Sequence, residues 1–285
     1  MFPTTQEQIN PNLFKNNYQD ISFFCGKAQP KENCCFQHII GLPRHPSTLQ
    51  QMGLMPYQTE FFNYTVNTKH NKFHVNKSRQ IGFTEIVLRI LAYHCFNKYA
   101  GHKIMIVAGT REKTTKKIMQ RFAELFHSIP DAIVQSKTDL YIKLANGTEI
   151  EGFPSNSDAI RGDTKIAAIF IDEAAHFKLI DDSVVMNAIK PIVDTNKSDL
   201  YMISTPNGMR GFFYEIDKEA NDYMKLKYNI HQAIGFIYTK ADAERMLKDK
   251  TLDGEQEYLN QYTTTERSIF HLSDNSDEEY EAEIY

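Results

Sequence analysis

The sequence predicts an α/β fold, a mostly parallel central sheet flanked by helices, and two observations carry that prediction. Three short runs, KIMIVAG (103–109), KIAAIFID (165–172) and DLYMISTP (199–206), are apolar at successive positions. That is the pattern of parallel strands buried on both faces. Around and between them, TEIVLRILAYHCFNKY (84–99) and REKTTKKIMQRFAELFHSI (111–129) repeat their apolar residues at helical spacing. Alternation of the two types winds helices onto both sides of one sheet.

The remaining segments fit around this frame. Residues 1–50 are rich in Asn, Gln, Phe and Pro with little periodicity, and read as an appendage ending near GLPRHPSTLQQMG. KFHVNK (72–77) reads as a further strand, and DLYIKLANGTEIEGF (139–153) as a hairpin turning at Asn146-Gly147. Residues 51–270 are therefore expected to form one domain, with 271–285 as an acidic, solvated tail.

Composition narrows the class. The 285 residues are 41% hydrophobic and 24% charged, which is globular and excludes collagen, coiled coil and general disorder. No apolar run reaches the roughly 18 residues of a membrane span, and the start MFPTTQEQIN has no signal-peptide pattern, so a soluble intracellular protein is expected. Cys25, Cys34, Cys35 and His38 match no zinc-site spacing, and the four cysteines are expected as reduced thiols. The net charge of -4 conceals an asymmetry. Residues 69–121 hold twelve Lys and Arg against two acids, while 273–285 hold six acids and no base. A basic block of that size is either a solvated face or the footprint of a polyanion.

In wound sheets ligands bind beyond the carboxyl ends of the strands. The strand at 72–77 runs through KSRQIGFTE (77–85) straight into a helix, the arrangement in which backbone N–H groups and the helix dipole gather an anion. The phosphate-loop pattern GxxxxGK[ST] is not met: Phe83 stands where lysine is usual and Lys77 where the first glycine is usual. A lysine at the loop's opening can still swing into the phosphate pocket, and Arg79 offers a second cation. IAAIFI ends in Asp172 and Glu173, two carboxylates at the rim, suited to holding Mg²⁺ and to orienting or deprotonating a water. LYMI ends in Ser204 and Thr205, either sensors of a γ-phosphate or turn-formers before Pro206. Arg161 is either a phosphate contact or a surface ion-pair partner.

Taken in order, LMPYQTEF (54–61), KSRQIGFTE, AIRGD (159–163), IFIDEAAHF (169–177), ISTPNGMRGFFYEI (203–216) and GEQEYLNQYTTTERSIF (254–270) resemble the ATPase domain of the viral large terminase subunit. That subunit is the motor that packages double-stranded DNA into capsids. The resemblance spans roughly residues 51–270, and the SRQxG core with the STPNG continuation separates it from helicases and other P-loop ATPases.

It implies a P-loop NTPase fold of the ASCE type and an ATP- and Mg²⁺-dependent hydrolase. In that family Gln58 would contact adenine. Lys77, Ser78, Arg79, Gln80, Ile81, Gly82, Phe83, Thr84 and Glu85 would form the Walker A, with Lys77 taking the phosphate role. Asp172 and Thr84 would hold the metal and Glu173 the water. Ser204 and Thr205 would couple hydrolysis to movement, and Arg161 would act as an arginine finger. The implied partners are double-stranded DNA, a portal protein, a small terminase subunit and further copies in a homo-oligomeric ring, at the capsid portal in the host cytoplasm. DNA contact is expected from the basic block through Lys113, Lys116, Lys117 and Arg121, to phosphate rather than bases.

Family members usually continue into a nuclease domain, whereas only a short acidic stretch follows Phe270, so any nuclease is expected in trans or in a longer parent chain. Two rivals stay open: a helicase-like nucleic-acid-dependent ATPase and, with Phe83 as its signature, a catalytically inactive P-loop scaffold that binds DNA or a capsid component.

Overall fold

The computed structural model describes residues 54–263 and Thr48, apart from 97, 109–111, 127–133, 154–164, 178 and 250–252. The cysteine and histidine cluster near the N-terminus, Arg161 and the acidic tail lie outside the described residues. In chain order the elements are α1 (Pro56–Asn67), β1 (Lys72–Lys77), α2 (Phe83–His94), β2 (Lys103–Ala108), α3 (Glu112–Glu124), β3 (Val134–Lys137), β4 (Tyr141–Leu144) and β5 (Glu149–Phe153). They continue with β6 (Ile166–Asp172), a 3₁₀ turn (Ala174–His176), α4 (Leu179–Asn196), β7 (Asp199–Ser204), α5 (Gly211–Lys218), β8 (Met224–Tyr228), a second 3₁₀ turn (Ile230–Ala233), α6 (Lys240–Lys248) and α7 (Gly254–Leu259).

One sheet of eight strands runs in the order β3-β4-β5-β2-β6-β7-β1-β8. From β5 to β8 every pairing is parallel, and the antiparallel ladders join β3, β4 and β5 at one edge. The mostly parallel sheet predicted from the apolar runs is therefore observed, as is the β4–β5 hairpin, with Gly147 at φ +83° in its turn.

Each central strand divides its side chains between two cores. Ile104 and Ile106 of β2, Phe170 of β6 and Tyr201 and Ile203 of β7 pack beneath α1, α2 and α3. Met105 and Val107, Ile169 and Ile171, and Leu200 and Met202 of the same strands pack beneath α4 and α5. Burial on both faces is why these strands are apolar at every position rather than alternately.

Several elements escaped periodicity. β8, MKLKY, is the far edge strand, and its Lys225 and Lys227 are the kind of charge that discourages pairing with another chain. The helix expected to reach residue 99 ends at His94, with Cys95 as its cap. The chain then bends so that the Tyr99 hydroxyl reaches Asp199 and stands 2.9 Å from that of Tyr201. No helix among the described residues is long and apolar enough to cross a membrane.

Two histidines are sealed in this core. His94 is 3% exposed, and neither ring nitrogen has a hydrogen-bond partner among the described residues. His74 is fully buried, stacked on Phe213 at 4.0 Å, with Nε2 donating to the Phe213 carbonyl at 2.9 Å. Burial pulls His94 down to about 3, helped by Lys98. Burial likewise pulls His74 down to about 4, with Asp217 opposing and Lys225 adding to the effect.

Both side chains bind a proton more readily unfolded than folded. The contribution of these two histidines to stability is therefore complete above pH 6.5 and falls as the pH drops toward the folded values. Each histidine should cost about 1.4 kcal/mol per pH unit over that window. Urea denaturation from pH 6.5 to 4.5 should show the fall, and His94→Phe should reduce its slope by about one proton's worth.

Candidate functional site

The carboxyl ends of β1, β7 and β6 emerge side by side. β7 lies between the other two, with Asn76 level with Ser204 and Ile203 level with Asp172. This brings Lys77, Thr84, Asp172 and Glu173 together across about ninety residues of sequence. Lys77 Nζ donates to Glu173 Oε1 at 3.0 Å, and Thr84 Oγ1 lies 3.3 Å from both Asp172 oxygens. Glu173 adopts φ +53°, ψ +45°, left-handed for a residue with a Cβ, a conformation that costs free energy and clusters at working sites.

The electrostatics separate the two acids. Burial first, and the Glu173 charge second, push Asp172 up to about 6, against Lys77, Arg121 and Thr84. Burial acts upward on Glu173 as well, but the Lys77 ammonium outweighs it and holds Glu173 below its ordinary value. A carboxylate and a hydroxyl this close are hard oxygen donors. Among the described residues no three His, Cys, Asp or Glu side chains converge on one point. The pair thus suits an ion such as Mg²⁺ that keeps water and phosphate oxygens in its shell, and a cation there would favour the charged form of Asp172.

The loop between β1 and α2 is braced from several sides. The Tyr57 hydroxyl donates to the Ile81 carbonyl at 2.6 Å. Gln58 Nε2 donates to the Gly82 carbonyl at 3.1 Å, while its Oε1 accepts from Met55 N–H at 3.2 Å. Gly82 turns the chain into α2 at φ +76°. Phe83 points away from the loop into an aromatic cluster with Tyr57, Phe61 and Tyr228. The usual lysine position is therefore occupied by a core side chain, and the ammonium at the site comes from Lys77.

A cleft of about 650 Å³ opens over this loop, with Met55 and Gln58 on one wall and Ile237, Tyr238 and Met246 on the other. The sequence pattern of the family described as "Terminase large subunit, T4likevirus-type, N-terminal" matches residues 75–277. The chain belongs to that family.

Solved large terminases share the fold. The large terminase ATPase domain of Thermus phage P74-26 aligns with a TM-score of 0.60 at 19% identity, covering 83% of this chain and 100% of that one. The HK97 bacteriophage large terminase aligns at 0.61 and 15%, covering 82% and 57%. A large terminase from a thermophilic bacteriophage, in complex with ADP, aligns at 0.56 and 15%, covering 74% and 54%. The same terminase has also been solved with ATP-γ-S. The chain spans a little over half the length of these full large terminases. Likeness at such identities concerns the fold, a mixed α/β sheet of P-loop NTPase type.

Within this terminase domain the motif positions do not all line the cleft. Lys77, Arg79, Gln80, Ile81, Gly82, Phe83, Thr84, Glu85, Gln58 and Glu173 do. Ser78 does not. It is fully buried, with its N–H donating to the Tyr228 carbonyl at 2.7 Å, because β8 continues the ladder past the end of β1. Arg79 reaches Glu257 at 3.4 Å, and its N–H donates to the Glu257 carbonyl.

Ser204 and Thr205 lie behind the acids. Ser204 Oγ accepts from Ala175 N–H at 3.1 Å, and Thr205 Oγ1 stands 2.8 Å from His176 Nε2. His176 lies in turn 3.7 Å from Glu173, so the two strand ends touch through side chains. Of the four cations expected to face DNA, Lys113 and Lys117 are exposed and Lys116 pairs with Asp139 at 3.3 Å. Arg121 pairs with Glu85 and lines the cleft, with its side chain part-exposed.

Sequence reasoning missed the second wall, Ile237, Tyr238, Asp242, Arg245 and Met246. Its one local signal, Thr239 capping α6 together with Asp242, marks a helix start and nothing more.

Gly82 offers a test of the brace. A Cβ there would stand 3.0 Å from Gln58 Nε2 in a left-handed conformation. Gly82→Ala should lower stability by about 1–2 kcal/mol and detach Gln58 from the loop. Denaturation midpoints, read beside nucleotide affinity, check both effects.

Proposed function

We propose that this chain is an Mg²⁺-dependent ATPase motor of the large terminase type, coupling ATP hydrolysis to translocation of double-stranded DNA into a capsid. The observation that carries the reading is the convergence of Lys77, Thr84, Asp172 and Glu173 at neighbouring strand ends. The ADP and ATP-γ-S complexes of a similar terminase support nucleotide as the ligand.

In this reading the loop and the start of α2 receive the β- and γ-phosphates, and Lys77 leaves Glu173 to pair with phosphate oxygens. Thr84 Oγ1 and Asp172 would hold Mg²⁺, which supplies charge neutralisation on the phosphates. Glu173, released from Lys77, orients the attacking water and takes up its proton. Ser204, Thr205 and His176 pass the loss of the γ-phosphate from β6 to β7. Adenine lies between Gln58 and the Ile237–Tyr238 wall. Arg161 acts across a subunit boundary in a homo-oligomeric ring seated on the portal in the host cytoplasm, with a small subunit as a further partner. DNA runs over the exposed face of α3, held through its phosphates by Lys113 and Lys117.

ATP hydrolysis by wild type, Lys77→Ala and Glu173→Gln, with and without double-stranded DNA, tests the reading. Wild type should be stimulated by DNA, and Glu173→Gln should lose roughly 10²- to 10⁴-fold in kcat. Lys77→Ala should be inactive. No activity in wild type with DNA and portal present would sink the motor reading. The DNA stimulation should fall steeply with salt, and more weakly in Lys113→Ala/Lys117→Ala.

A further inference from the structure

Four cations line the cleft among the described residues, and each faces a carboxylate: Lys77 with Glu173, Arg79 with Glu257, Arg121 with Glu85 and Arg245 with Asp242. Arg121 differs from Lys77 and Arg79 in origin. It belongs to none of the family's motifs and comes from the last turn of α3. Lys113, Lys117 and Arg121 are spaced by four and share one stripe of that helix. The stripe begins at the surface and ends in the cleft wall, where the Arg121 side chain is 42% exposed.

What Arg121 touches is informative. Its Nε donates to Glu85 Oε1 at 2.9 Å, and Nη2 donates to the same oxygen. These bonds engage two of the five N–H donors of a guanidinium. Glu85 is the neighbour of Thr84 in the first turn of α2, where an unpaired carboxylate would repel a phosphate. Arg121 and Arg89 together neutralise it. Arg121 thus stands beside the residue next in sequence to Thr84, one of the two that would hold the metal.

We propose that Arg121 is a nucleotide-binding residue, its guanidinium, which pairs with Glu85, meeting the polyphosphate of a nucleoside triphosphate from the α3 side. This rests on the nucleotide reading of the cleft. A brace between α2 and α3 would use the same ion pair, but it would treat its two members alike. A phosphate contact would not, because removing Arg121 removes an attraction while neutralising Glu85 removes a repulsion.

The full chain with Mg²⁺ should be titrated with ATP-γ-S, ADP and AMP as wild type, Lys77→Ala, Arg121→Gln, Arg121→Lys and Glu85→Gln. Arg121→Gln should weaken ATP-γ-S roughly tenfold or more and AMP by less than about threefold, and Arg121→Lys should recover part of the loss. Glu85→Gln, which neutralises the same pair's acid and removes its repulsion, should raise ATP-γ-S affinity above that of wild type. Equal losses in Arg121→Gln and Glu85→Gln, or losses independent of phosphate number, would overturn the proposal while the Lys77→Ala arm leaves the nucleotide site standing. Should Arg121→Gln fail to fold, Glu85→Gln decides, since a tenfold loss there overturns it. Wild type that binds none of the three removes the nucleotide reading and this proposal together.

Discussion

The parallel pairing of β1, β7 and β6 fixes where the strand-end residues of the site lie. Parallel strands point their carboxyl ends the same way, and the register sets how far each protrudes. Lys77 at the end of β1 and Glu173 beyond β6 meet across the intervening β7, and Ser204 and Thr205 at its end lie behind them. A one-residue slip in either ladder would turn each side chain of the strand to the opposite face and disperse the cluster. Register is strongly held because both faces of these strands are buried, one beneath α1, α2 and α3 and the other beneath α4 and α5. The apolar runs that form the core and the geometry that forms the site are therefore one constraint.

The loop above the sheet is held by a different set of forces. Tyr57 and Gln58 of α1 bond to carbonyls of the loop from outside it, and the N–H groups of Ser78 and Arg79 donate to the carbonyls of Tyr228 and Glu257. Backbone at this turn is thus satisfied by elements from both ends of the domain. Phe83 adds an aromatic anchor where a charged side chain is more usual, tying the start of α2 to Tyr57 and Tyr228. Relocation of the lysine to position 77 is compatible with this anchoring, because a flexible ammonium reaches the same space from the loop's opening.

Charge in the cleft is arranged as pairs, and the pairs are unequal. Glu85 has two arginine partners, while Glu173 shares its one close lysine with the field acting on Asp172. The two neighbouring acids are consequently pushed in opposite directions, Asp172 up and Glu173 down. Such separation lets adjacent carboxylates take different tasks.

Much of this was legible in the sequence. KIMIVAG, KIAAIFID and DLYMISTP announced buried parallel strands because unbroken apolarity has few other uses at that length. KSRQIGFTE and IFIDEAAHF announced a loop and a pair of acids because each follows such a strand directly. β8 was silent, since an edge strand carries lysines on a half-exposed surface and shows no core pattern. The pairing of Arg121 with Glu85 was not legible, because a stripe spaced by four names a helix face without saying what lies opposite it. The wall of Ile237, Tyr238 and Met246 was invisible for a related reason: its residues line the cleft through a long-range fold-back that leaves no local trace. The sequence by itself determined which segments are strands and helices and which strand ends carry chemistry, because burial and helix periodicity are local properties of a chain. The order of the central strands, the partners of Lys77, Arg79 and Arg121 and the second wall of the cleft were decided by tertiary structure alone, because each depends on contacts between residues about thirty to one hundred and eighty positions apart.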